Sequence, residues 1–209
     1  MIQALFTDLD GVVRHWENQC VDTLEASYGL PKGFFFELAF TQKLLIPAIT
    51  GQQTHCEWVE KVRAVVANHI GISKATELVE AWLQAPFSID KPLVDDYRRL
   101  FPVAKLVLVT NATDRLHRDL NSNGIVDKFD IVVNSAEIGY AKPDFRFFER
   151  AMELVGVSSS AGLFIDDSKE NIAAALEVGF KTIHFSDRQA VVMQLTEIAA
   201  DQRVQEVRR

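Results

Sequence analysis

The sequence has little cysteine and no long apolar run. Its two cysteines, Cys20 and Cys56, lack CxxC spacing and fall in segments with helical periodicity. We interpret them as reduced structural residues, which is typical of a reducing compartment. No window approaches the roughly 18 apolar residues of a membrane span, and the first residues, MIQALFTDLDG, lack the basic and apolar regions of a signal peptide. We therefore expect a cytoplasmic protein that does not enter a membrane.

An excess of positive charge is also missing. The formal net charge is -7, and lysine and arginine are scattered rather than gathered into a stripe. This pattern excludes nucleic acid as an expected partner, because nothing is arranged to neutralise a phosphate backbone. It also means that an anionic substrate needs a metal ion or a few placed cations to bind. The sequence does not indicate an oligomeric state.

Two nucleotide-binding motifs are absent, and so is any compositional bias. Neither GxxxxGK[ST] nor GxGxxG occurs at the first predicted strand, which excludes the P-loop and dinucleotide classes. Only 10 glycines and 6 prolines occur in 209 residues, and 48% of the residues are hydrophobic. The composition therefore predicts one packed globular core rather than a disordered or fibrous chain.

Short apolar runs alternate along the chain with segments of helical spacing, such as Lys91–Leu100, Asp144–Leu154 and a final helix after Asp187. The predicted strands are Ile2–Thr7, Val103–Thr110, Phe129–Val133, Gly162–Ile165 and Lys181–Phe185. Alternation of this kind predicts an α/β fold with a doubly wound parallel sheet, helices covering both faces.

About ninety residues separate the first two predicted strands, which is too long for an ordinary crossover. We find no convincing strand in this segment, only amphipathic stretches at Glu17–Tyr28, Thr54–Asn68 and Ser73–Gln84. We predict a core of residues 1–15 and 90–209, with residues 16–89 inserted after the first strand as a helical cap.

Two aspartates follow the first predicted strand. Asp8 and Asp10 are two residues apart, so in an extended chain their side chains project to the same side. They lie at the carboxyl end of the strand, where open parallel sheets bind ligands. An isolated DxDG is more often a surface turn whose aspartates cap the backbone. The ends of the other strands favour the functional interpretation.

Polar residues end two later strands as well: Thr110 and Asn111 follow the second, and Asp166 and Asp167 follow the fourth. Four carboxylates at one edge repel one another unless protons or a divalent cation occupy the site. Because oxygen ligands select a hard cation, we expect Mg²⁺ as the cofactor. Thr110 and Asn111 add neutral donors that can hold phosphate oxygens.

Lys142 precedes Pro143 at a turn that can open the next helix. A lysine in such a place is usually only solvated, yet an acidic pocket that handles phosphate needs a cation of this kind. Arg14, His15 and Trp16 leave the first strand toward the insertion, where they can contact a leaving group, and we select Arg14 as a substrate-binding candidate. The histidines at positions 55, 69, 117 and 184 show no metal spacing and receive no role.

Four segments together resemble the motif signature of the haloacid dehalogenase-like hydrolase superfamily, in its phosphatase type with a small helical cap. In chain order they are DLDGV at 8–12, VLVTN at 107–111, Lys142-Pro143 and FIDD at 164–167. The match covers about residues 1–14 and 91–190. Four ordered motifs at strand ends are specific in a way that no single one is. The resemblance implies a Rossmann-like core and hydrolysis of small phosphorylated metabolites.

The resemblance also implies roles for the acidic residues. Asp8 would attack phosphorus and form an aspartyl-phosphate, which water then hydrolyses. Asp10 would protonate the leaving oxygen and later deprotonate the water. Mg²⁺ would be held by Asp8, Asp167 and the backbone carbonyl of Asp10. Asp166 would be the supporting carboxylate, although the adjacent pair leaves open which aspartate contacts the metal.

The remaining implied roles concern phosphate and its surroundings. Thr110, Asn111 and Lys142 would bind the phosphoryl group, with Lys142 offsetting charge in the transition state. Ser168 is interpreted as a helix cap and Asn171, one turn further on, as a supporting residue. No organic cofactor is implied.

Other activities compete with phosphate hydrolysis. A dehalogenase of the superfamily lacks an acid two residues after the nucleophile, so Asp10 argues against one. A phosphosugar mutase would share every core residue and differ only in the fate of the phosphoryl group. A non-catalytic binding protein would have no physical reason to keep clustered like charges. A small closed cap implies compact substrates such as sugar phosphates, with Trp58 and Trp82 filling the core of the cap and Phe34–Phe36 more ordinarily packed than lining a pocket.

Overall fold

Seven strands occur in the structure, a computed structural model that describes residues 1–122 and 124–207. In chain order they are β1 Ala4–Thr7, β2 Arg14–Trp16, β3 Phe87–Ile89, β4 Lys105–Thr110, β5 Ile131–Asn134, β6 Gly162–Asp166 and β7 Lys181–His184. Five of them form a parallel sheet in the order β5-β4-β1-β6-β7.

The helices fall into two groups, one between β2 and β3 and one around the sheet. The first group is α1 Gln19–Ser27, α2 Phe34–Ala39, α3 Gln42–Ile49, α4 His55–Ile70 and α5 Ile72–Leu83. The second group is α6 Lys91–Leu100, α7 Leu116–Ser122, α8 Ser135–Ile138, α9 Phe145–Val155, α10 Lys169–Val178 and α11 Arg188–Val207. Short 3₁₀ turns occur at Val126–Lys128 and Ser159–Ala161.

Both faces of the sheet are buried, which explains why its strands are apolar runs rather than alternating ones. In β1, Leu5 belongs to the cluster beneath α6 and α11, whereas Ala4 and Phe6 belong to the cluster beneath α9 and α10. Each fully buried leucine or phenylalanine contributes about 1.5–3 kcal/mol through the area it removes from water. The predicted α/β fold with a doubly wound, mostly parallel sheet is confirmed.

The strand order places a switch point between β1 and β6. From β1 the chain continues to its neighbour β4, whereas from β6 it continues outward to β7 on the other side. Connections that leave two adjacent strands in opposite directions open a crevice at the carboxyl ends of those strands. Asp8 directly follows β1, and Asp166 ends β6, so both lie at this crevice.

Helices α1 to α5 surround an apolar cluster of their own, which includes Val21, Phe35, Trp58 and Leu78. The helices α4 and α5 form its main pair. A capping box starts α4, because the Thr54 side chain accepts from the backbone N–H of Glu57 while the Glu57 side chain accepts from the backbone N–H of Thr54. Residues 16–89 thus contain a helical cluster, and their separation from the sheet as a functional cap stays a prediction.

One expectation about this segment is wrong, because it contains part of a two-stranded antiparallel ribbon. Strand β2 pairs with β3, with Arg14 opposite Ile89 and Trp16 opposite Phe87. Strands of three residues are too short to produce a recognisable period, and their pairing joins positions more than seventy residues apart. The ribbon lies where the chain leaves the sheet for the helical group, at β2, and where it returns to the sheet, at β3.

Element limits differ from the predicted ones by at most two residues. The second predicted strand begins at Val103, but β4 begins at Lys105 because Val103 lies in a turn and is 86% exposed. The third shifts from Phe129–Val133 to Ile131–Asn134. No helix in the described ranges combines the length and apolarity needed to cross a bilayer.

Candidate active site

Asp8 lies at the switch point with its carboxylate largely buried. Its backbone N–H donates to the carbonyl of Ile165 at 2.9 Å, which extends the pairing of β1 with β6 by one residue. Its Oδ1 accepts from the N–H of Leu9 at 2.8 Å and lies 2.8 Å from Lys142 Nζ. Burial raises the pKa of the Asp8 carboxyl to about 7, against the opposing effect of Lys142 and with a further contribution from Asp166. In the described part of the chain no hydrogen bond or ion pair involves Oδ2 of Asp8.

Lys142 is the cation of this crevice, and its side chain is 1% exposed. Its Nζ lies 2.8 Å from Asp8 Oδ1 and 2.7 Å from Asp166 Oδ2, and it donates to the carbonyl of Val109 at 3.2 Å. Burial lowers the pKa of the ammonium, but the two carboxylates outweigh burial and hold that pKa above its ordinary value. Asn111 fixes the segment, because its side-chain amide exchanges two 2.8 Å hydrogen bonds with the Lys142 backbone.

Asp166 is fully buried, and hydrogen bonds surround its carboxylate. Besides Lys142, it accepts from Asn171 Nδ2 at 3.0 and 3.1 Å and from the backbone N–H of Ser168 at 2.9 Å. Ser168 also caps α10 by accepting from the N–H of Asn171. Both oxygens of Asp166 are therefore engaged within the protein, which suits a carboxylate that orients its neighbours.

Three carboxylates meet in the crevice. One oxygen from each of Asp8, Asp166 and Asp167 lies within 4.8 Å of the others. Among the described residues Lys142 is their one ion-pair partner, so two negative charges remain unneutralised when all three carboxylates are ionised. Burial and the nearby Asp166 raise the pKa of Asp167, because both disfavour its ionised form. The charge and the all-oxygen donor set both fit a hard divalent cation such as Mg²⁺.

Gly11 leaves the space that Asp167 occupies. Its φ of +86° lies in the left-handed region, and a Cβ built on it would lie 2.1 Å from Asp167 Oδ2. No side chain fits there without displacing the carboxylate. The glycine of the DLDG segment is thus explained by contact with a strand end more than 150 residues away in the sequence.

Asp10 sits beside this cluster and is held by the ribbon. Arg14 Nε donates to Asp10 Oδ1 at 2.6 Å and Arg14 Nη2 donates to Oδ2 at 2.7 Å, while Trp16 Nε1 donates to Oδ1 at 2.6 Å. The Arg14 guanidinium also stacks over the Trp16 ring, 4.7 Å from its centroid. The predicted substrate contact of Arg14 therefore stays a prediction, since its side chain is 7% exposed and engaged by Asp10.

The structure brings most of the predicted site residues to one edge. Asp8, Asp167 and Lys142 share the crevice with their supporting partners Asp166 and Asn171, as described above. Asn111 bonds the Lys142 backbone, so its side-chain amide is engaged by protein. Thr110 is buried at the carboxyl end of β4, beside β1 in the sheet. The assigned chemical roles of all these residues stay predictions.

A cavity of about 470 Å³ opens between the crevice and helices α2 to α5. Asp10, Arg14 and Asn111 contribute its wall on the sheet side. Its aromatic lining consists of Trp16, Phe36, Phe40, Trp58 and Trp82. The expectation that Trp58 and Trp82 only fill the helical cluster is therefore incomplete, because both also border the cavity.

A polar network at the cavity was missed by sequence reasoning. Arg115 Nη1 lies 3.1 Å from His55 Nε2, and His55 Nδ1 lies 3.2 Å from Thr113 Oγ1. Since arginine only donates, Nε2 accepts and the imidazole is neutral, with its Nδ1–H donating to Thr113. Burial and Arg115 lower the pKa of His55 accordingly. The capping box at Thr54 could have located His55 at a helix start, but no local pattern links it to residues 113–115.

Comparison with known proteins shows which family part of this chain is similar to. Residues 103–185 match the family model of haloacid dehalogenase-like hydrolases. The fold is similar to that of a haloacid dehalogenase family enzyme of Bacteroides thetaiotaomicron, solved with magnesium and inorganic phosphate: the TM-score is 0.69 at 20% identity, covering 89% of this chain and 95% of the other. The resemblance to the haloacid dehalogenase-like superfamily is thereby confirmed.

One curated relative is named a phosphatase and another a nucleotidase. The sesquiterpene phosphatase astK of Aspergillus oryzae is 36% identical over 72 residues, covering 34% of this chain and 37% of the relative. The pyrimidine 5'-nucleotidase YjjG of Escherichia coli is 32% identical over 112 residues, covering 51% of this chain and 50% of the relative. The chain thus spans between about a third and a half of the length of these relatives. Over residues 103–185 this chain is therefore similar to haloacid dehalogenase-like hydrolases, and a phosphatase and a nucleotidase are among the relatives it matches.

Proposed function

We propose that this protein is a magnesium-dependent phosphatase that hydrolyses small phosphorylated metabolites through an aspartyl-phosphate on Asp8. The observation that carries the proposal is the crevice between β1 and β6, where the Asp8 carboxylate lies 2.8 Å from a buried ammonium and beside two further carboxylates. A nucleophilic carboxylate, a cation for phosphate and oxygen ligands for a divalent ion are the parts that phosphoryl transfer requires.

The first step is attack by an Asp8 oxygen on phosphorus. The new bond joins Asp8 to phosphorus, and the ester bond to the leaving oxygen breaks. Oδ2 is the candidate nucleophilic atom, since Oδ1 already accepts from Leu9 and Lys142. Splitting hydrolysis into two displacements replaces one difficult step by two easier ones.

Asp10 supplies and recovers the proton. In its protonated form it donates to the leaving oxygen; in its ionised form it then accepts a proton from the water that attacks phosphorus and releases Asp8. Oδ2 of Asp10 receives one hydrogen bond, from Arg14, and keeps acceptor capacity for this proton. Arg14 and Trp16 act here as positioning residues that hold the carboxyl at the cavity wall.

Lys142, Thr110 and the Asn111 backbone are assigned to the phosphoryl oxygens. The Lys142 ammonium offsets charge on these oxygens and remains protonated, because Asp8 and Asp166 hold its pKa up. Mg²⁺, held by Asp8, Asp167 and the Asp10 carbonyl, would supply Lewis-acid charge to the phosphate. Asp166 and Asn171 orient Lys142 and the acidic cluster.

The relatives support phosphate chemistry more than any one substrate. One is named for a sesquiterpene and another for pyrimidine nucleotides, and a protein of the same fold was solved with magnesium and phosphate. The compounds in these names differ in their organic parts, and what they share is the phosphoryl group. We assign substrate choice to the helical segment 16–89, acting as a cap that closes over the crevice and excludes water.

The test is release of inorganic phosphate from a panel of phosphate monoesters. We expect turnover with Mg²⁺, none with excess chelator, and loss of at least about a thousandfold in kcat for Asp8→Asn, whose amide is a far weaker nucleophile. Glu37→Gln, an exposed change on α2, is the matched control. Interconversion of sugar-phosphate isomers without phosphate release, or full activity of Asp8→Asn, would contradict the proposal.

A further inference from the structure

We propose that the leaving group of the phosphate monoester is an uncharged, mainly apolar alcohol rather than a sugar or an alcohol that carries a second anionic group. This inference rests on the proposed function, because it assigns the cavity beside Asp10 to the part of the substrate that departs. It also replaces the expectation of sugar phosphates, which came from family likeness alone.

The position of the cavity makes it the leaving-group site. Asp10, the proposed proton donor, and Asn111 both line it, whereas Asp8 and Lys142 belong to the adjoining crevice and not to the cavity lining. A monoester whose phosphate occupies the crevice therefore places its ester oxygen near Asp10 and its organic part in the cavity. A volume of about 470 Å³ is within the range of sites that enclose small organic ligands.

The walls of the cavity are predominantly apolar. Five aromatic rings border it, and Leu45, Ile49 and Leu83 complete the lining. Phe40 projects into this region from the end of α2 and contacts both Trp58 and Trp82, yet it is 42% exposed. A large apolar side chain left exposed at the mouth of such a cavity gains contact when an apolar ligand enters.

The polar groups of the wall are already paired with one another. Arg14 is engaged by Asp10, and Arg115 by His55 and by Asp119, whose Oδ1 it contacts at 2.9 Å. Both arginines of the described lining are thus ion-paired already, which weakens them as partners for a carboxylate or a second phosphate. Both ring nitrogens of His55 and the Asn111 amide are likewise occupied, leaving Asn18 as the polar side chain without a partner in the described residues.

A hydroxyl-rich leaving group would therefore regain few of the hydrogen bonds that it makes with water, which is costly in a mainly apolar site. An alkyl or ring system loses nothing of this kind and removes apolar wall from water. The cavity thus discriminates by penalising hydroxyls rather than by recognising a particular ring.

The decisive comparison is between glucose 6-phosphate and cyclohexylmethyl phosphate. Both are primary alkyl monoesters with a six-membered ring one carbon from the phosphate oxygen, so intrinsic reactivity and size are similar. We expect kcat/KM to be at least about tenfold higher for the cyclohexyl ester, mainly through KM. Equal or better turnover of glucose 6-phosphate would overturn the inference while leaving the phosphatase assignment intact.

A pair of variants ties the preference to the cavity wall. Phe40→Ala should lower the ratio of the two kcat/KM values about tenfold, since it removes one apolar wall. Ile46→Ala should leave the ratio within about twofold, because Ile46 is equally exposed, at 41%, but is absent from the lining. A preference that survives Phe40→Ala unchanged, or that falls equally in both variants, counts against the inference.

A binding measurement distinguishes failure of the proposed phosphatase function from failure of the cavity assignment. If neither ester releases phosphate, calorimetric titration of both esters into the wild-type protein with Mg²⁺ reports on the cavity alone. Tighter binding of the cyclohexyl ester would then keep the apolar assignment without the phosphatase activity. Equal binding of the two esters, or binding of neither, would refute the apolar assignment of the cavity.

Discussion

At the scale of single residues, the crevice between β1 and β6 brings buried carboxylates and one buried ammonium into direct contact. Asp8 and Asp166 share one buried ammonium, and Asp167 remains beside them without a cation of its own among the described residues. Buried carboxylates of this kind persist only when something compensates their lost hydration. Lys142 does so in part, and a divalent cation would do the rest.

Lys142→Met tests this arrangement. The variant leaves two buried carboxylates without their ammonium, so we expect the free energy of unfolding near pH 8 to fall by about 3–5 kcal/mol. The loss should shrink toward pH 5, because burial raises the pKa of Asp8 to about 7 and this carboxyl takes up a proton there, and Mg²⁺ should restore part of it. Urea unfolding with and without metal measures both effects. Lys128→Met, which removes an exposed pair with Asp95, is the control and should change little.

Gly11→Ala tests the close approach of two strand ends. The new methyl group would lie 2.1 Å from Asp167 Oδ2 and would have to displace that carboxylate. We expect a cost of about 1–3 kcal/mol in stability and at least tenfold weaker Mg²⁺ binding, measured by calorimetry. Gly29→Ala carries the same backbone strain, with φ +71°, but nothing lies within 4 Å of its new carbon. Equal metal affinity in both variants would contradict this account.

At the scale of elements, a buried acid inside the helical cluster organises two helices. Glu25 of α1 is 0% exposed, and its two oxygens accept from the backbone N–H groups of Gly33 and Phe35, each at 2.7 Å. These are N–H groups at the start of α2 that have no helical partner. The acid thus fixes where α2 begins, and α2 leads directly to Phe40 at the cavity.

Glu25→Gln should weaken this junction. An amide keeps one acceptor but turns an NH₂ toward a backbone N–H, so one buried hydrogen bond is lost. We expect the free energy of unfolding to fall by about 1–3 kcal/mol, measured in urea. The exposed Glu37→Gln in α2 should be neutral, and an equal loss in both variants would show that the buried contacts are not the cause.

At the scale of the whole molecule, several contacts join the sheet region and the helical segment, including packing of α3 on α8 and two hydrogen-bonded junctions. One is the ribbon of β2 and β3, and the other is the network in which His55 at the start of α4 contacts Thr113 and Arg115 beyond β4. The backbone N–H of His55 also donates to Asp114 at 2.7 Å. The second junction depends on a neutral imidazole, because Arg115 already supplies the positive charge.

Stability should consequently fall in acid. Burial and Arg115 hold the pKa of His55 in the folded state below its ordinary value of 6.5, so the unfolded chain binds the proton more readily. The contribution is complete above that ordinary value and is lost as the pH falls below it. Urea unfolding between about pH 5 and pH 8 should show a steeper loss for wild type than for His55→Asn. His69→Asn is the control, and the same slope for wild type and His55→Asn would refute the assignment.

Much of this molecule was readable from local patterns. Apolar runs alternating with helical spacing predicted the parallel sheet, and the polar residues ending those runs predicted which side chains meet. Helix α6 was predicted with the limits it has. The hydrophobic periods of strands and helices are set by neighbouring residues, so they can be recognised without knowing how the rest of the chain folds.

The ribbon, the short helices α2, α3, α7 and α8, and the cavity were not predicted. Their segments are too short to carry a period, and they exist because distant parts of the chain pack on them. The partner of Arg14 and the role of Gly11 were hidden for the same reason. Both depend on how a turn lies against a side chain that the sequence does not place.

By itself, then, the sequence determined the class of fold and the set of acidic, cationic and neutral residues gathered at one edge of the sheet. Only the tertiary structure decided which of these residues pair, where the excess negative charge lies, and what chemical character the neighbouring cavity has. The physical reason is the separation along the sequence of the residues that each feature depends on. Backbone periodicity is set by residues a few positions apart, whereas charge compensation and cavity lining are set by side chains brought together from opposite ends of the chain.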